Sequence, residues 1–275
     1  MINYEITIDE LKKIEKNIPI YKKTIFFDKT NKYALLIPVI NEGERFVLQM
    51  NKMKNANIFD ICDVFICDGG SEEEYFNSNF IMKYGCRGLI INTSNIKGQG
   101  TQLKQGYYEV MKDGYDGVIT CDGNNKDNID ESLTLFIAKL EDKFDVIQST
   151  RFTLGGKEEN TPLLRKIGIR LIASPLFSMA SGFHYDDITN GYKAFSRKYI
   201  LDSRLNWFRD DFCTYEHCYF PLLPVKKLGY SVCQVPTSRI YPKSELPSKI
   251  KGFSSNFNFF KLLLKLIFLN FKIKK

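Results

Sequence analysis

The chain has two histidines, one tryptophan and no pair of cysteines at C-x-x-C spacing. Zinc and dithiol sites built on that spacing are therefore not expected, and His184 and His217 are read as structural residues. The seven cysteines (Cys62, Cys67, Cys86, Cys121, Cys213, Cys218 and Cys233) are odd in number, and several stand in apolar runs. That pattern suits free thiols packed as small hydrophobes in a reduced, cytosolic compartment. No uninterrupted apolar run reaches the ~18 residues that span a bilayer. Met1 to Glu10 lacks the basic-then-apolar order of a signal peptide. There is no internal repeat, no long low-complexity linker and no nucleic-acid-binding motif, so nucleic acid is not an expected partner.

What is present is an ordinary globular composition: 275 residues, 44% hydrophobic and 26% charged, enough for a full core. The net charge of +7 is unevenly spread. Lys249, Lys251, Lys261, Lys265, Lys272, Lys274 and Lys275 crowd the last stretch and point to an anionic partner for it. Short apolar runs at 33–39, 61–67, 88–92, 117–121 and 145–149 alternate with helix-compatible stretches at 42–54, 72–84, 100–112 and 129–140. Alternation of this kind predicts an α/β fold with a mostly parallel, Rossmann-like sheet flanked by helices. Residues 1–30 are polar and read as a helix and loop leaning on the core. Residues 31–240 form the α/β domain, and 241–275 a basic amphipathic extension.

Ligands in such sheets bind beyond the carboxyl ends of the strands, and four polar clusters fall there. Asn41 and Glu42 follow the first run, where capping a helix would also favour them. Asp68, Gly69, Gly70 and Ser71 follow the second. The glycines permit close backbone approach and Asp68 can accept from a base or ribose, while Ser71 with Glu74 also fits a capping box. Lys97 lies in a glycine turn opening the next helix, which suits phosphate. Last comes the acidic turn Asp122-Gly123-Asn124-Asn125-Lys126-Asp127-Asn128. Its oxygens suit a hard divalent cation shared with substrate phosphates, although Asp, Asn and Gly also make ordinary turns.

In order and spacing, Pro38-Val39-Ile40-Asn41-Glu42, Asp68-Gly69-Gly70-Ser71, Lys97-Gly98-Gln99-Gly100 and the acidic turn resemble the family 2 glycosyltransferases of GT-A fold. The likeness runs from about residue 33 to 240. It continues through Ser149-Thr150-Arg151-Phe152, Pro162-Leu163-Leu164-Arg165 and the segment from Asp186 to Phe195. These later motifs are similar to the dolichyl- and polyprenyl-phosphate sugar synthase branch. The resemblance implies an inverting transfer from a nucleotide-sugar donor to a polyprenyl phosphate in cell-surface glycan synthesis. A saccharide hydroxyl acceptor, or a non-catalytic nucleotide-sugar-binding module, is the alternative. It places Asn41, Glu42, Asp68, Gly69, Lys97, Asp122 and Gly123 at the nucleotide. Mg²⁺ or Mn²⁺ would lie at Asp122, Asn124 and Asp127, in a turn where Asn124 replaces the second acid of the family's Asp-x-Asp. Arg151 and Arg165 would meet phosphate, and Asp187 or Glu216 would be the general base for a hydroxyl acceptor. A short helix from Asp211 to Phe220, ended by Pro221, would carry Glu216.

The C-terminal stretch places Phe253, Phe257, Phe260, Leu264, Ile267 and Phe271 at helical spacing beside lysines. A basic helix with an aromatic face suits a membrane interface, and packing on the domain or another subunit suits it equally. The expected location is the cytoplasmic face of a membrane, held peripherally.

Overall fold

The run Tyr33–Val39 forms strand β2 and is buried throughout. Its side chains alternate between two cores, Ala34 and Leu36 facing one and Leu35, Ile37 and Val39 the other. A strand covered on both faces reads as a continuous apolar run because the two-residue period delivers every side chain to some core. The computed structural model describes residues 8–72, 77–242 and 252–274, without the side chains of Ile8, Asp9, Leu11 and residues 252–257.

The strands are β1 (Tyr21–Ile25), β2, β3 (Asp63–Asp68), β4 (Gly88–Asn92), β5 (Gly117–Thr120), β6 (Val146–Thr150), β7 (Lys157–Glu159), β8 (Lys193–Ser196), β9 (Val232–Pro236) and β10 (Ser238–Ile240). Eight of them make one sheet in the order β1-β4-β3-β2-β5-β8-β6-β9, while β7 and β10 pair apart from it. The run β4-β3-β2-β5 is parallel. β8 enters antiparallel between β5 and β6. β1 lies antiparallel at the edge. Helices Glu44–Asn55, Ser78–Lys83, Gln99–Lys112 and Ile129–Glu141 occupy the expected connections.

Two features differ from the expectation. Residues 1–30 contribute a helix, Ile8–Glu15, but also the edge strand β1. They are tied in by polar contacts: Lys23 donates to Glu109 at 2.6 Å, and Asp63 accepts from Thr30, Asn31 and Tyr115. The helix carrying Glu216 is shorter than expected, Glu216–Tyr219, and passes into a 3₁₀ turn over Phe220–Leu222 containing Pro221.

The C-terminal helix, Gly252–Lys272, packs on the domain through Leu263 and Leu266, both fully buried. Phe259 meets Tyr219 edge-on at 5.2 Å, Asn270 donates to the Ala180 carbonyl at 3.1 Å, and Lys265 pairs with Asp211 at 3.2 Å. Lys227 Nζ caps its end by donating to the Asn270 carbonyl at 2.8 Å. The opposite face leaves Phe268 and Phe271 each 64% exposed. Phe253 and Phe257 are among the side chains outside the description, as are Lys249, Lys251 and Lys275. Among the described residues, no helix is long and apolar enough to cross a membrane.

His217 is structural in its surroundings, buried among the rings of Tyr107, Trp207 and Phe212. Burial lowers its pKa from 6.5 to about 3, against the opposing hydrogen bond to the Trp207 carbonyl. The unfolded chain therefore binds a proton near pH 6.5 that the folded chain refuses until about pH 3. This contribution to stability is complete above the upper value and is lost as pH falls toward the lower one. His217→Phe should flatten the dependence of unfolding free energy on pH in that window by about 1.4 kcal/mol per pH unit, one proton's worth. Denaturant titrations at stepped pH measure it, and an unaltered slope would contradict the assignment.

Candidate active site

The loops after β2, β3, β4 and β5 meet at one edge of the sheet and are fastened to each other. Gln102, on the helix after β4, donates to the carbonyls of Val39 and Cys67 at 2.5 and 2.9 Å, stapling the ends of β2 and β3. Beyond that staple, Asn41 adopts a left-handed conformation (φ 48°), which Asn tolerates better than most residues. Its amide donates to Ser71 Oγ at 3.0 Å, and its side-chain oxygen accepts from the Glu72 amide at 3.2 Å. Ser71 Oγ donates in turn to Asp68 at 2.6 Å, and its amide donates to both oxygens of that buried carboxylate. Ser71 thus joins two of the expected nucleotide-binding loops; Glu74 lies outside the described residues. Glu42 pairs with Arg45 at 3.3 Å. Lys97 is exposed, and a side chain on Gly70 would stand 3.7 Å from its ammonium, so loops three and two are adjacent. A Cβ on Gly69 would come within 2.9 Å of Gln102 Nε2.

The acidic turn closes this edge. Gly123 fits because a Cβ there would come within 2.3 Å of Val39 Cγ1. Asp122 accepts from Gln99 Nε2 at 3.0 Å on one oxygen, and from Arg239 Nη2 at 3.1 Å on the other. Arg239 also donates through Nη1 to Asp127 at 2.5 Å and to Asn190 Oδ1 at 3.2 Å. Backbone pairing puts it there: Ile240 donates to the Lys126 carbonyl at 2.8 Å, and Ser238 to Asn128 Oδ1 at 2.8 Å. Asn124 turns its amide nitrogen toward Asp122 at 3.5 Å and buries an oxygen that has no partner among the described residues.

The charges here are unequal in effect. Burial disfavours the ionised form of both Asp122 and Asp127. At Asp122 the Arg239 guanidinium outweighs that penalty and the carboxyl falls below its ordinary range. At Asp127 burial prevails, helped by the charge of Asp122, and the carboxyl is pushed up. Three cations stand around the Tyr241 ring, Lys126 at 5.2 Å, Arg239 at 5.7 Å and Arg165 at 5.9 Å from its centroid. Burial opposes ionisation of the Tyr241 hydroxyl, yet Arg239, Arg165 and Arg151 together bring its pKa below the usual tyrosine range. The region is electropositive despite its aspartates.

Arg151 and Asp187 are both buried and bonded to each other, Nε to Oδ2 at 2.7 Å. Thr189 completes the pair, donating its amide and hydroxyl to Asp187 Oδ1, each at 2.9 Å, and accepting from Arg151 Nη2 at 3.0 Å. Burial works against the Asp187 charge, but Arg151 outweighs it and holds the carboxyl low. Glu216 is also buried and accepts from the Thr214 amide at 2.7 Å and from its hydroxyl. That segment covers the start of the Gln99–Lys112 helix, where Thr101 donates to the Cys213 carbonyl at 3.1 Å. Arg165 is half-buried and has no ion-pair partner among the described residues.

No family model matches the sequence, and no curated protein matches it. Solved structures do match. Glucosyl-3-phosphoglycerate synthase from Mycobacterium tuberculosis, in complex with Mn²⁺, UDP and glucosyl-3-phosphoglycerate, has a TM-score of 0.61 at 12% identity, over 100% of this chain and 88% of that one. The same enzyme with phosphoglyceric acid gives 0.61 at 13% identity, covering 98% and 86%. With UDP it gives 0.60 at 14% identity, covering 97% and 86%. The fold is GT-A.

The first of those neighbours carries Mn²⁺ with UDP. The acidic turn here is poorly arranged for such an ion. Both carboxylates face a guanidinium, the middle residue offers an amide, and among the described residues no three His, Cys, Asp or Glu side chains converge as a cage. Arg239 and Tyr241 stand at the site although no local motif marks them, and Gln99 and Lys126 stand there from within motifs that single out their neighbours. Their signal is spatial, since Arg239 reaches Asp122 and Asp127 across more than a hundred residues of chain.

Proposed function

We propose that this chain transfers a sugar from a nucleotide-sugar donor, binding the nucleotide over Asn41, Asp68 and Lys97 and its diphosphate near the Tyr241 cations. The observation that supports this best is the contiguity of those loops at one sheet edge, from an acidic, hydrogen-bonding end at Asp68 to an electropositive end at Arg165. Base and ribose call for the first, and a leaving diphosphate for the second. Transfer forms a bond from an acceptor oxygen to the anomeric carbon as the bond to the diphosphate breaks, and the nucleoside diphosphate departs. We assign inversion, because neither Asp187, locked in its ion pair, nor Glu216, held by Thr214, is presented as a covalent nucleophile.

For the acceptor, the geometry favours a polyprenyl phosphate. Arg165 is the half-buried cation of the site that lacks an ion-pair partner among the described residues, and its neighbours Leu163 and Leu164 are 70% and 84% exposed. The same apolar face continues through Ile167, Leu171 and Met179. A phosphate at Arg165 would leave its isoprenoid chain along that face. Such an acceptor arrives as an anion and needs no general base, consistent with the engagement of both candidate carboxylates. Arg151 is less available for phosphate, since parting a buried pair costs about 3–5 kcal/mol. The exposed Met179 and Phe271 flank the Ala180–Asn270 contact, so this face adjoins the bare face of the C-terminal helix. With Lys261, Lys265 and Lys272 beside it, the combined surface suits an anionic membrane.

Thermal-shift titration with UDP-, GDP- and dTDP-sugars tests the donor assignment, because a ligand bound by the native state alone raises apparent stability. No shift with any of them, and no turnover of any, would refute it.

Arg165→Ala should raise the KM for a short polyprenyl phosphate roughly ten- to a hundred-fold, the loss of one charge-assisted bond, and should weaken nucleotide binding less, because Lys126 and Arg239 remain at the Tyr241 ring. Should KM for the lipid stay level while Glu216→Gln lowers kcat toward a saccharide, the acceptor is a hydroxyl.

Phe268→Glu with Phe271→Glu should abolish sedimentation with phosphatidylglycerol vesicles while leaving the fold intact, because both rings point to solvent. Parent protein that ignores vesicles at low salt would dispose of the membrane assignment.

A further inference from the structure

We propose that Arg239 fills the cation position of the acidic turn, so that the chain binds nucleoside diphosphate without a divalent metal. The proposal rests on the donor reading above and deepens it. A metal in this turn would draw on Asp122 and Asp127, and both already bond the two ends of one guanidinium, at 3.1 and 2.5 Å. The guanidinium is not a mobile surface group that an ion displaces at little cost. Arg239 is buried, its strand is paired to the turn through Ile240 and Ser238, and Asn190 holds the same Nη1 that Asp127 does. Moving it aside would strip a buried cation of its partners, which is costly. The fork shape also matters, since a planar guanidinium can bridge two carboxylates where an ammonium serves one.

Charge arithmetic points the same way. One divalent ion between two carboxylates leaves a locally neutral turn, whereas Arg239 contributes one positive charge. Lys126 and Arg165 stand beside it on the Tyr241 ring and more than make up the difference of one charge. A buried polar atom remains open: Arg239 Nε, an N–H donor with no partner among the described residues. An anionic oxygen entering from the electropositive side would meet that excess charge. The amide at Asn124, where the family resemblance expects a second acid, fits a turn that does not carry a metal's charge.

The experiment is calorimetric titration of UDP and of GDP into the full chain, in EDTA and in millimolar Mn²⁺, together with Mn²⁺ binding followed by electron paramagnetic resonance on protein without nucleotide. In the parent we expect the same nucleotide affinity in both buffers and no immobilised Mn²⁺. In Arg239→Gln we expect nucleotide affinity in EDTA to fall roughly ten- to a hundred-fold, and Mn²⁺ both to bind and to restore it, because two carboxylates are released. The parent's titrations stand by themselves if that variant does not fold. Nucleotide binding by the parent that collapses in EDTA and returns with Mn²⁺ would overturn the proposal, as would Mn²⁺ held by the parent alone. A folded Arg239→Gln that keeps parental affinity in EDTA would also overturn it. Absence of nucleotide binding in every buffer would refute the donor reading instead, and the Mn²⁺ measurement would still judge the cation position.

Discussion

A single buried guanidinium between two carboxylates of one turn organises this end of the molecule. Arg239 ties the loop after β5 to β10, and through Asn190 to the segment that leads into β8. Burying three charged groups is unfavourable unless they are paired with good geometry. Here the pairing is satisfied unevenly, since burial leaves the Asp127 carboxyl raised while Asp122 stays low. One positive charge shared by two acids stabilises the more exposed of them better. The surrounding cations on Tyr241 then make the region attractive to anions, although a count of acidic residues in the turn would suggest the opposite.

The sheet makes that arrangement possible. Parallel strands end at one edge, so their following loops are neighbours whatever their separation in sequence. Gln102 holds the ends of β2 and β3 with two hydrogen bonds, and Gln99 from the same helix reaches Asp122. That helix is pressed flat on the sheet, with Gly106 in contact range of Cys67 and Leu36. A helix so close carries its first turn, and Gln99 with it, into the site. Packing of the core and placement of the polar groups are thus one event, not two.

Much of this was legible in the residues, and the exceptions have physical causes. Strands β2 to β5 announce themselves because both faces are buried, which makes their central residues apolar, whereas β6, Val-Ile-Gln-Ser-Thr, is apolar only at its start. β1 reads Tyr-Lys-Lys-Thr-Ile and hides among polar residues, since an edge strand turns one side to water. β8 carries Lys193, whose ammonium is buried against Gln148 Oε1 at 2.5 Å and the Ile188 carbonyl at 3.2 Å; a charge within a short run conceals a central strand. The nucleotide loops are visible because turn chemistry concentrates Asn, Asp, Gly and Ser locally. Arg239 is invisible because its partners lie far back along the chain, and an arginine between Ser238 and Ile240 has no local signature.

The C-terminal helix shows the same limit from another side. Helical spacing in its sequence singles out Phe260, Leu264, Ile267 and Phe271, and an apolar stripe ordinarily marks the buried face. Yet the residues most deeply buried are Leu263, Leu266 and Asn270, with Phe268 and Phe271 turned outward. The helix is apolar on more than one side, so periodicity alone identifies a helix without saying which face the core will take. Tyr219, Ala180 and Asp211 decide that, through a ring contact, a carbonyl and a carboxylate. Fixing one face by those contacts leaves the other apolar and rimmed by lysines. A surface of that composition is costly to leave against water over any large area. For the acceptor proposed above, that bare face and the exposed leucines before Arg165 would meet the same lipid surface, so one burial would answer for both.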